Sequence, residues 1–263
     1  MHSLAEFAAG AINLDLLSTW GERLVLGAVT TARLVLISCG IGFVLAYPLS
    51  LARASRNPLL AAPALGYVTF FRGTPLLCQL YLTYYGAGQV RPFLASLDLW
   101  WFFRDSFYCC IFAFALNTAA YQAEIMRGAI AAVPRGQIEA ARALGLSRLA
   151  IARHVVWPQA MLVALRPFGN ELISMIKASA LSAIVTVLDL MGETRFIFSK
   201  TFDFSIYLYC ALIYLAATQA IGVLWNRAER FLSRHLAVAP QAAAGQAGRE
   251  SHPAAMRPAR AAT

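Results

Sequence analysis

Charge is scarce in this sequence. Of its 263 residues, 13% are Asp, Glu, Lys or Arg, against roughly 25% in a soluble domain. No Gly-Lys pair occurs anywhere, whereas a phosphate-binding P-loop needs GxxxxGKS/T so that backbone amides and a lysine can hold phosphates. That absence removes ATP hydrolysis by such a loop. His2, His154, His235 and His252 are far apart, and neither HExxH nor GxSxG is present, so zinc- and serine-hydrolase signatures are missing too. Cys39, Cys78, Cys109, Cys110 and Cys210 are odd in number, have no CxxC spacing and sit in apolar runs. They read as small core residues. The N-terminal MHSLAEFAAGAINLDLL lacks the basic start, short apolar core and cleavage site of a secretory signal, and is expected to remain as a leader over residues 1–20.

What is abundant is hydrocarbon: 59% of residues are hydrophobic and the mean hydropathy is +0.60. Crossing a ~30 Å hydrocarbon core takes about 20 apolar residues. Five runs qualify: Leu24 to Tyr47, Leu65 to Gly86, Phe107 to Val133, Ala160 to Val187 and Ile206 to Leu224. The expectation is one all-α membrane domain over residues 21–235 with five spans. Residues 236–263 are Ala-rich, carry three prolines and show no apolar period, which predicts a disordered tail.

The net charge of +9 does not point to nucleic acid, because the basic residues are dispersed without aromatic interleaving. Their distribution orients the bundle instead, since Lys and Arg concentrate in cytoplasmic loops. Arg53 and Arg56 follow the first run; Arg127, Arg135, Arg142, Arg148 and Arg153 surround the third-to-fourth connection; Arg227, Arg230 and Arg234 follow the fifth. The other connections hold Arg91, Arg104, Arg195 and Lys200, offset by Asp98, Asp105, Asp189, Glu193 and Asp203. The expected topology has an external N-terminus and an internal C-terminus.

Ionisable groups inside spans are costly and default to functional hypotheses. Glu124 has Arg127 at i+3, a structural pairing. Arg33 either snorkels or faces a cavity. Arg72 opens Arg72-Gly73-Thr74-Pro75, where Gly73 and Pro75 weaken the helix ladder and neighbours must satisfy the freed groups; its guanidinium is expected on local carbonyls. On a helix turning about 100° per residue, Arg166 and Lys177 lie outside pairing range of Glu171. Glu171 is therefore either a substrate ligand, with Asn170 beside it, or the partner of a cation on another helix. Pro167 and Gly169 just before could loosen the backbone as in broken transporter helices. Asn117, Tyr121, Glu124 and Gly128 form a stripe that could line a pathway, while Ala115, Ala119 and Ala123 form a small-residue packing stripe.

The stretch EAARALGLSRLAIARHVVWP, Glu139 to Pro158, is polar where a span would be expected. Pro134 suits a helix start, and Arg135, Glu139 and Arg142 fall at i, i+4 and i+7, allowing ion-pair support. Ile138, Ala141 and Leu144 supply an apolar face. Gly145 suits a left-handed helix end, Ser147 can cap a second short helix, and Pro158 restarts the fourth span. Physics alone leaves two alternatives, an interfacial loop on lipid headgroups or a docking bracket.

Glu139-Ala140-Ala141, then Gly145, then Val155, Trp157 and Pro158, resembles the EAA loop of permease subunits of bacterial ABC importers, in which Ile and Leu are usual where Val155 and Trp157 stand. Phe70 to Gly86 and Ala115 to Gly145 resemble the polar amino-acid permeases, particularly the histidine, arginine and opine branch. The likeness spans approximately Gly21 to Leu232. It implies a type I ABC importer permease fold in a bacterial inner membrane, with Arg135, Glu139, Ala140, Ala141 and Gly145 on a cytoplasmic coupling helix. It also implies import of polar amino acids, basic ones or opines; partners would be a cytoplasmic ATP-binding subunit dimer carrying ATP and Mg, a second permease chain of different sequence, a periplasmic solute-binding protein and lipid. The chain itself would hold no cofactor. Two rivals remain open: an ion-driven secondary transporter or channel using Glu171, and a non-transporting scaffold.

Overall fold

Forty consecutive residues form the first helix, α1 (Leu14–Arg53), in a computed structural model that describes residues 14–233. The first thirteen residues of the expected leader and the whole of the expected tail, 236–263, lie outside the described residues. At 1.5 Å per residue α1 is about 60 Å long, twice a hydrocarbon core, and it starts ten residues before the apolar run that announced it.

The second apolar run is two helices, not one. α2 (Pro58–Gly73) begins under a cap from Asn57, whose Oδ1 accepts from the Leu59 amide at 3.0 Å, with proline at the first helical position where no donor is needed. It stops at Thr74, and α3 (Leu76–Gln89) starts after Pro75. Two short helices, α4 (Arg91–Ser96) and α5 (Trp100–Phe103), lead to α6 (Ser106–Ala131), capped by Asp105. The polar insert forms α7 (Arg135–Ala143) and α8 (Arg148–Ile151). One π turn, Ala152–Val156, carries α8 directly into α9 (Trp157–Ala178). A 3-10 turn, Ser179–Val185, precedes α10 (Leu190–Thr201), and α11 (Ser205–Ser233) closes the described chain.

Among the described residues, four stretches are long and apolar enough to cross a membrane: 15–53, 106–131, 148–185 and 205–232. The fifth expected span is the α2–α3 pair, whose 16 and 14 residues are each too short alone. Contrary to the expectation, Pro158 does not restart a helix; the rod is already running when it arrives, because proline at the second helical position of α9 lacks only a donor that the π turn leaves spare.

α6 is the hub. It packs against α1, α2, α3 and α9, and its small residues make the close approach possible: Ala115, Ala119 and Ala123 are 3%, 0% and 0% exposed. A central apolar cluster joins Leu34, Leu80, Phe114 and Met175. A second, on the side of α7, joins Ala46, Met126, Ala160 and Phe168, and a third, on the side of α10, joins Leu24, Leu190, Ile197 and Ile206. Cys109, Cys110 and Cys210 are buried as expected of core residues, but Cys78 is exposed on α3.

The connection before the last span, placed outside by its charge balance, buries two of its acidic residues. Asp189 and Glu193 are 0% and 6% exposed. Asp189 caps α10 through Gly192 and accepts from the Tyr214 hydroxyl at 3.3 Å, while Thr31 Oγ1 accepts from the Leu190 amide. Glu193 faces Arg23 at 3.6 Å, and the Arg23 guanidinium lies 4.2 Å from the Phe196 ring. Buried polar groups persist only when paired, and these pairs tie α10 to α1 and α11.

Gly42 marks a close helix crossing: a Cβ there would run into Thr118 Cγ2 and lie 3.2 Å from the Ala119 amide nitrogen. Gly42→Val should lower stability by about 1–3 kcal/mol through overpacking, read as a fall in melting temperature of the purified protein. Gly40→Ala, with open space at its Cβ, should leave it unchanged or raise it by about 0.5–1 kcal/mol.

Candidate functional site

The site begins where the α2–α3 rod is broken. Pro75 has no amide hydrogen, so the Phe71 carbonyl four residues earlier loses its helical donor. The Cys78 amide turns to Pro75 O, which frees Thr74 O as well. Hydrocarbon offers no water to take their place. Gln79 Nε2 donates to Phe71 O at 2.9 Å, Thr74 O at 3.2 Å and Thr74 Oγ1 at 2.8 Å. Asn117 Nδ2, from α6, donates to Phe71 O and to Gln79 Oε1, both at 3.0 Å. Gln79 and Asn117 are 4% and 6% exposed. The sequence reading found the break but not Gln79; its only signal was an amide four residues after a proline inside an apolar run.

Beside the break lies a cavity of about 390 Å³, lined by Thr74, Pro75, Leu76, Asn117, Tyr121, Glu171, Ser174, Met175 and Ala178. Its carboxylate is Glu171, on α9. Thr118 Oγ1 donates to Glu171 Oε1 at 3.0 Å, and Gln122 Nε2 donates to Thr118 Oγ1 at 3.2 Å and to Cys39 O at 3.4 Å. A hydrogen-bonded line thus runs from the Cys39 carbonyl of α1 through the Gln122 and Thr118 side chains of α6 to Glu171. Among the described residues no Lys or Arg forms an ion pair with it. One hydroxyl is a thin complement for a carboxylate able to accept about four hydrogen bonds, so its remaining capacity faces the cavity.

Asn170 is not brought to this cavity. It is one residue, hence about 100°, away around α9, and its side chain is exposed. Nor do Pro167 and Gly169 break the helix, since α9 runs through both. Gly169 instead seats an aromatic ring: Trp225 of α11 lies where a Cβ would stand and donates Nε1 to Leu165 O at 2.6 Å. Arg166 pairs with Glu229 at 3.2 Å, and Arg33 and Lys177 are exposed.

A second polar centre surrounds Glu124. Arg127 Nε lies 3.1 Å from both carboxylate oxygens and its Nη2 2.9 Å from Oε2, while Arg53 Nε of α1 reaches Oε1 at 3.1 Å. Contrary to the expectation, Arg72 does not clamp local carbonyls; Gln79 and Asn117 already fill that role. It points to Glu124, with Nη1 3.9 Å from Oε2, and its guanidinium lies 5.2 Å from the Tyr121 ring.

At the far end of α9 the polar insert has its expected bends. Gly145 adopts φ +77°; its amide donates to Arg142 O at 2.9 Å and the next amide, Leu146, to Ala141 O at 3.2 Å, the paired bonds of a Schellman termination. Ser147 Oγ accepts from the Ala150 amide and starts α8. Ala141 is buried, whereas Arg135, Glu139, Ala140, Arg142 and Leu144 are exposed. The expected ion pairs among Arg135, Glu139 and Arg142 do not form; all three side chains are exposed. Gln159 of α9 donates to Gln137 Oε1 of α7 and to Val155 O in the π turn, and Trp157 stacks on Tyr47 at 5.4 Å.

Comparison with known proteins matches residues 38–238 to the family described as binding-protein-dependent transport system inner membrane component. The nopaline transport system permease protein NocM of Agrobacterium fabrum is 41% identical over 215 residues, 81% of this chain and 89% of that protein. The histidine/lysine/arginine/ornithine transport system permease protein HisM of Escherichia coli is 37% identical over 222 residues, 84% of this chain and 93% of that one. Among solved structures, the crystal structure of an amino acid ABC transporter with histidines superposes with a TM-score of 0.75 at 32% identity, covering 83% of this chain and 98% of that chain. The MetNI methionine ABC transporter, at 21% identity and a TM-score of 0.68, shares the fold.

Asn117→Leu should leave Phe71 O with one donor and Gln79 Oε1 with none, costing about 1–3 kcal/mol. The check is the melting temperature of the purified protein, with Asn170→Leu, on an exposed position outside the cavity, leaving it unaltered.

Proposed function

The chain belongs to the family of binding-protein-dependent transport system inner membrane components, and we propose that it lines the translocation path for a polar amino acid, a basic one or an opine, and transmits the stroke of an external ATPase to that path. It is a permease subunit of an ATP-driven importer; ATP hydrolysis resides in a separate subunit, and a solute-binding protein supplies the substrate. The polar insert faces the cytoplasm, as the arginines around it require, with α10 on the periplasmic side. ATP and Mg are held by a dimer of the cytoplasmic subunit, and a second permease chain completes the path.

The observation that carries this reading is the unbroken connection from the insert to the cavity. α8, the π turn and α9 form one rod from Arg148 to Ala178, and Glu171 stands on it. α7, with exposed Arg135, Glu139, Ala140 and Leu144, is the part the ATPase grips. Closure of the ATPase dimer shifts α7; Gln137–Gln159 and the Gly145 turn pass the shift to the rod. π turns favour such sites because one backbone bond is already displaced. Tilting α9 moves Glu171 relative to α6 and the α2–α3 break, changing which side of the membrane the cavity faces.

Glu171 receives the positive group of the substrate, its carboxylate held in position by Thr118 and Gln122. Asn117, Tyr121 and Ser174 supply neutral polar wall. The charge is buried enough to be selective and supported by too few donors to be satisfied without a ligand.

Two experiments in proteoliposomes with the full complex and binding protein test this. Glu171→Gln should cut uptake about ten-fold or more, the worth of a charge-assisted hydrogen bond, while assembly with the ATPase is retained; normal uptake sinks the assignment. Gly145→Val strains a left-handed position by about 1–2 kcal/mol and should lower substrate moved per ATP hydrolysed. Unchanged stoichiometry would return α7 to the role of a lipid-surface loop.

A further inference from the structure

Glu124 is one carboxylate facing three guanidiniums, and the three are not held equally. Arg127 and Arg53 make hydrogen bonds of 2.9 to 3.1 Å to both of its oxygens. Arg72 Nη1 remains at 3.9 Å, beyond hydrogen-bonding reach. Its side chain is 44% exposed, against 18% for Arg53. Two positive charges are left over in this cluster, and Arg72 is the less restrained of the candidates to neutralise elsewhere. Its guanidinium rests on the Tyr121 ring, and Tyr121 lines the cavity, as do Thr74 and Pro75, which follow Arg72 and Gly73 in the chain.

An amino acid carries a carboxylate as well as its positive group, and the cavity wall contains no cation for it. We propose that Arg72 receives the substrate carboxylate, leaving Glu124 to Arg53 and Arg127, while Glu171 holds the substrate cation; this rests on the transport reading of the Glu171 cavity. Arg72 does not line the cavity in the structure described. Occupying it takes a turn of the long side chain off the Tyr121 ring on which it now rests. Arginine suits the role because its planar fork presents paired donors to the two oxygens of a carboxylate. The helix break supports it too: Arg72 is in the last turn of α2, where chain direction changes beside the cavity. The ligand class is thereby narrowed to compounds bearing a free carboxylate and a separate cation, bound with opposite ends on α2 and α9.

The test is direct titration of the permease–ATPase complex in nanodiscs, without binding protein, using L-arginine, L-argininamide, which lacks the carboxylate, and L-citrulline, which lacks the side-chain cation. The wild-type complex should prefer arginine to argininamide by about ten-fold, the usual worth of a charge-assisted hydrogen bond. Arg72→Gln should bring that ratio near one while the arginine-to-citrulline ratio persists. Arg72→Lys, which keeps a charge opposite Glu124 but loses the fork, should lie between, and carries the test if the glutamine variant fails to assemble. Glu171→Gln should do the reverse, erasing discrimination against citrulline only. An arginine-to-argininamide ratio unaltered in both Arg72 variants overturns the proposal. Equal binding of arginine and citrulline by the wild type overturns the Glu171 reading alone, and no binding of any ligand at millimolar concentration overturns both.

Discussion

A carbonyl oxygen in hydrocarbon must find a donor inside the protein, and the oxygen of Phe71 is where that constraint shapes this molecule. Pro75 removes its helical donor, so two amides, Gln79 and Asn117, converge on it. Convergence fixes α3 and α6 against the break and leaves irregular backbone in the bundle. Such backbone survives at membrane depth only where it is buried or lines a cavity, and here the same residues, Thr74, Pro75 and Asn117, form one wall of the cavity that Glu171 enters from the other side.

The remaining architecture holds the two walls in a movable relation. α6 is packed closely through alanines and crosses α1 at Gly42, a contact with no slack. α9 is tied to its neighbours at separate points: Thr118 to Glu171, Trp225 to Leu165 O, Gln159 to Gln137 and Arg166 to Glu229. In this reading the closely packed α1–α6 body is the frame and the α9 rod the moving part, in keeping with the bistable contacts that transmit small shifts. The Glu124 cluster links α1, α2 and α6 on the frame side.

Much of this was legible in the sequence, for physical reasons that also explain what was not. Apolar run lengths located the four stretches able to span among the described residues because hydrocarbon thickness imposes them, but could not show that the second run is two shorter helices. Gly73 and Pro75 announced the break, and Gly145 the turn after α7, because few residues tolerate those backbone states. Hidden were pairings between distant positions: Thr118 with Glu171 across 53 residues and Arg53 with Glu124 across 71. Periodicity along one helix cannot register a partner on another. Asn170 and Glu171 were indistinguishable as neighbours, yet only one points into the cavity. Asp189 and Glu193 counted only as charges offsetting Arg195 and Lys200, because nothing along the chain announced Tyr214 and Arg23 waiting on other helices.

The most direct measurement is the distance between α3 and α9 through the ATP cycle. Spin labels on native Cys78, exposed on α3, and on Lys177→Cys, exposed near the end of α9, report it by pulsed electron resonance in the nanodisc complex. If the rod carries the ATPase stroke to the cavity, the distance distribution shifts by several ångströms between nucleotide-free and ATP-trapped states. An identical distribution in both states would contradict a moving α9.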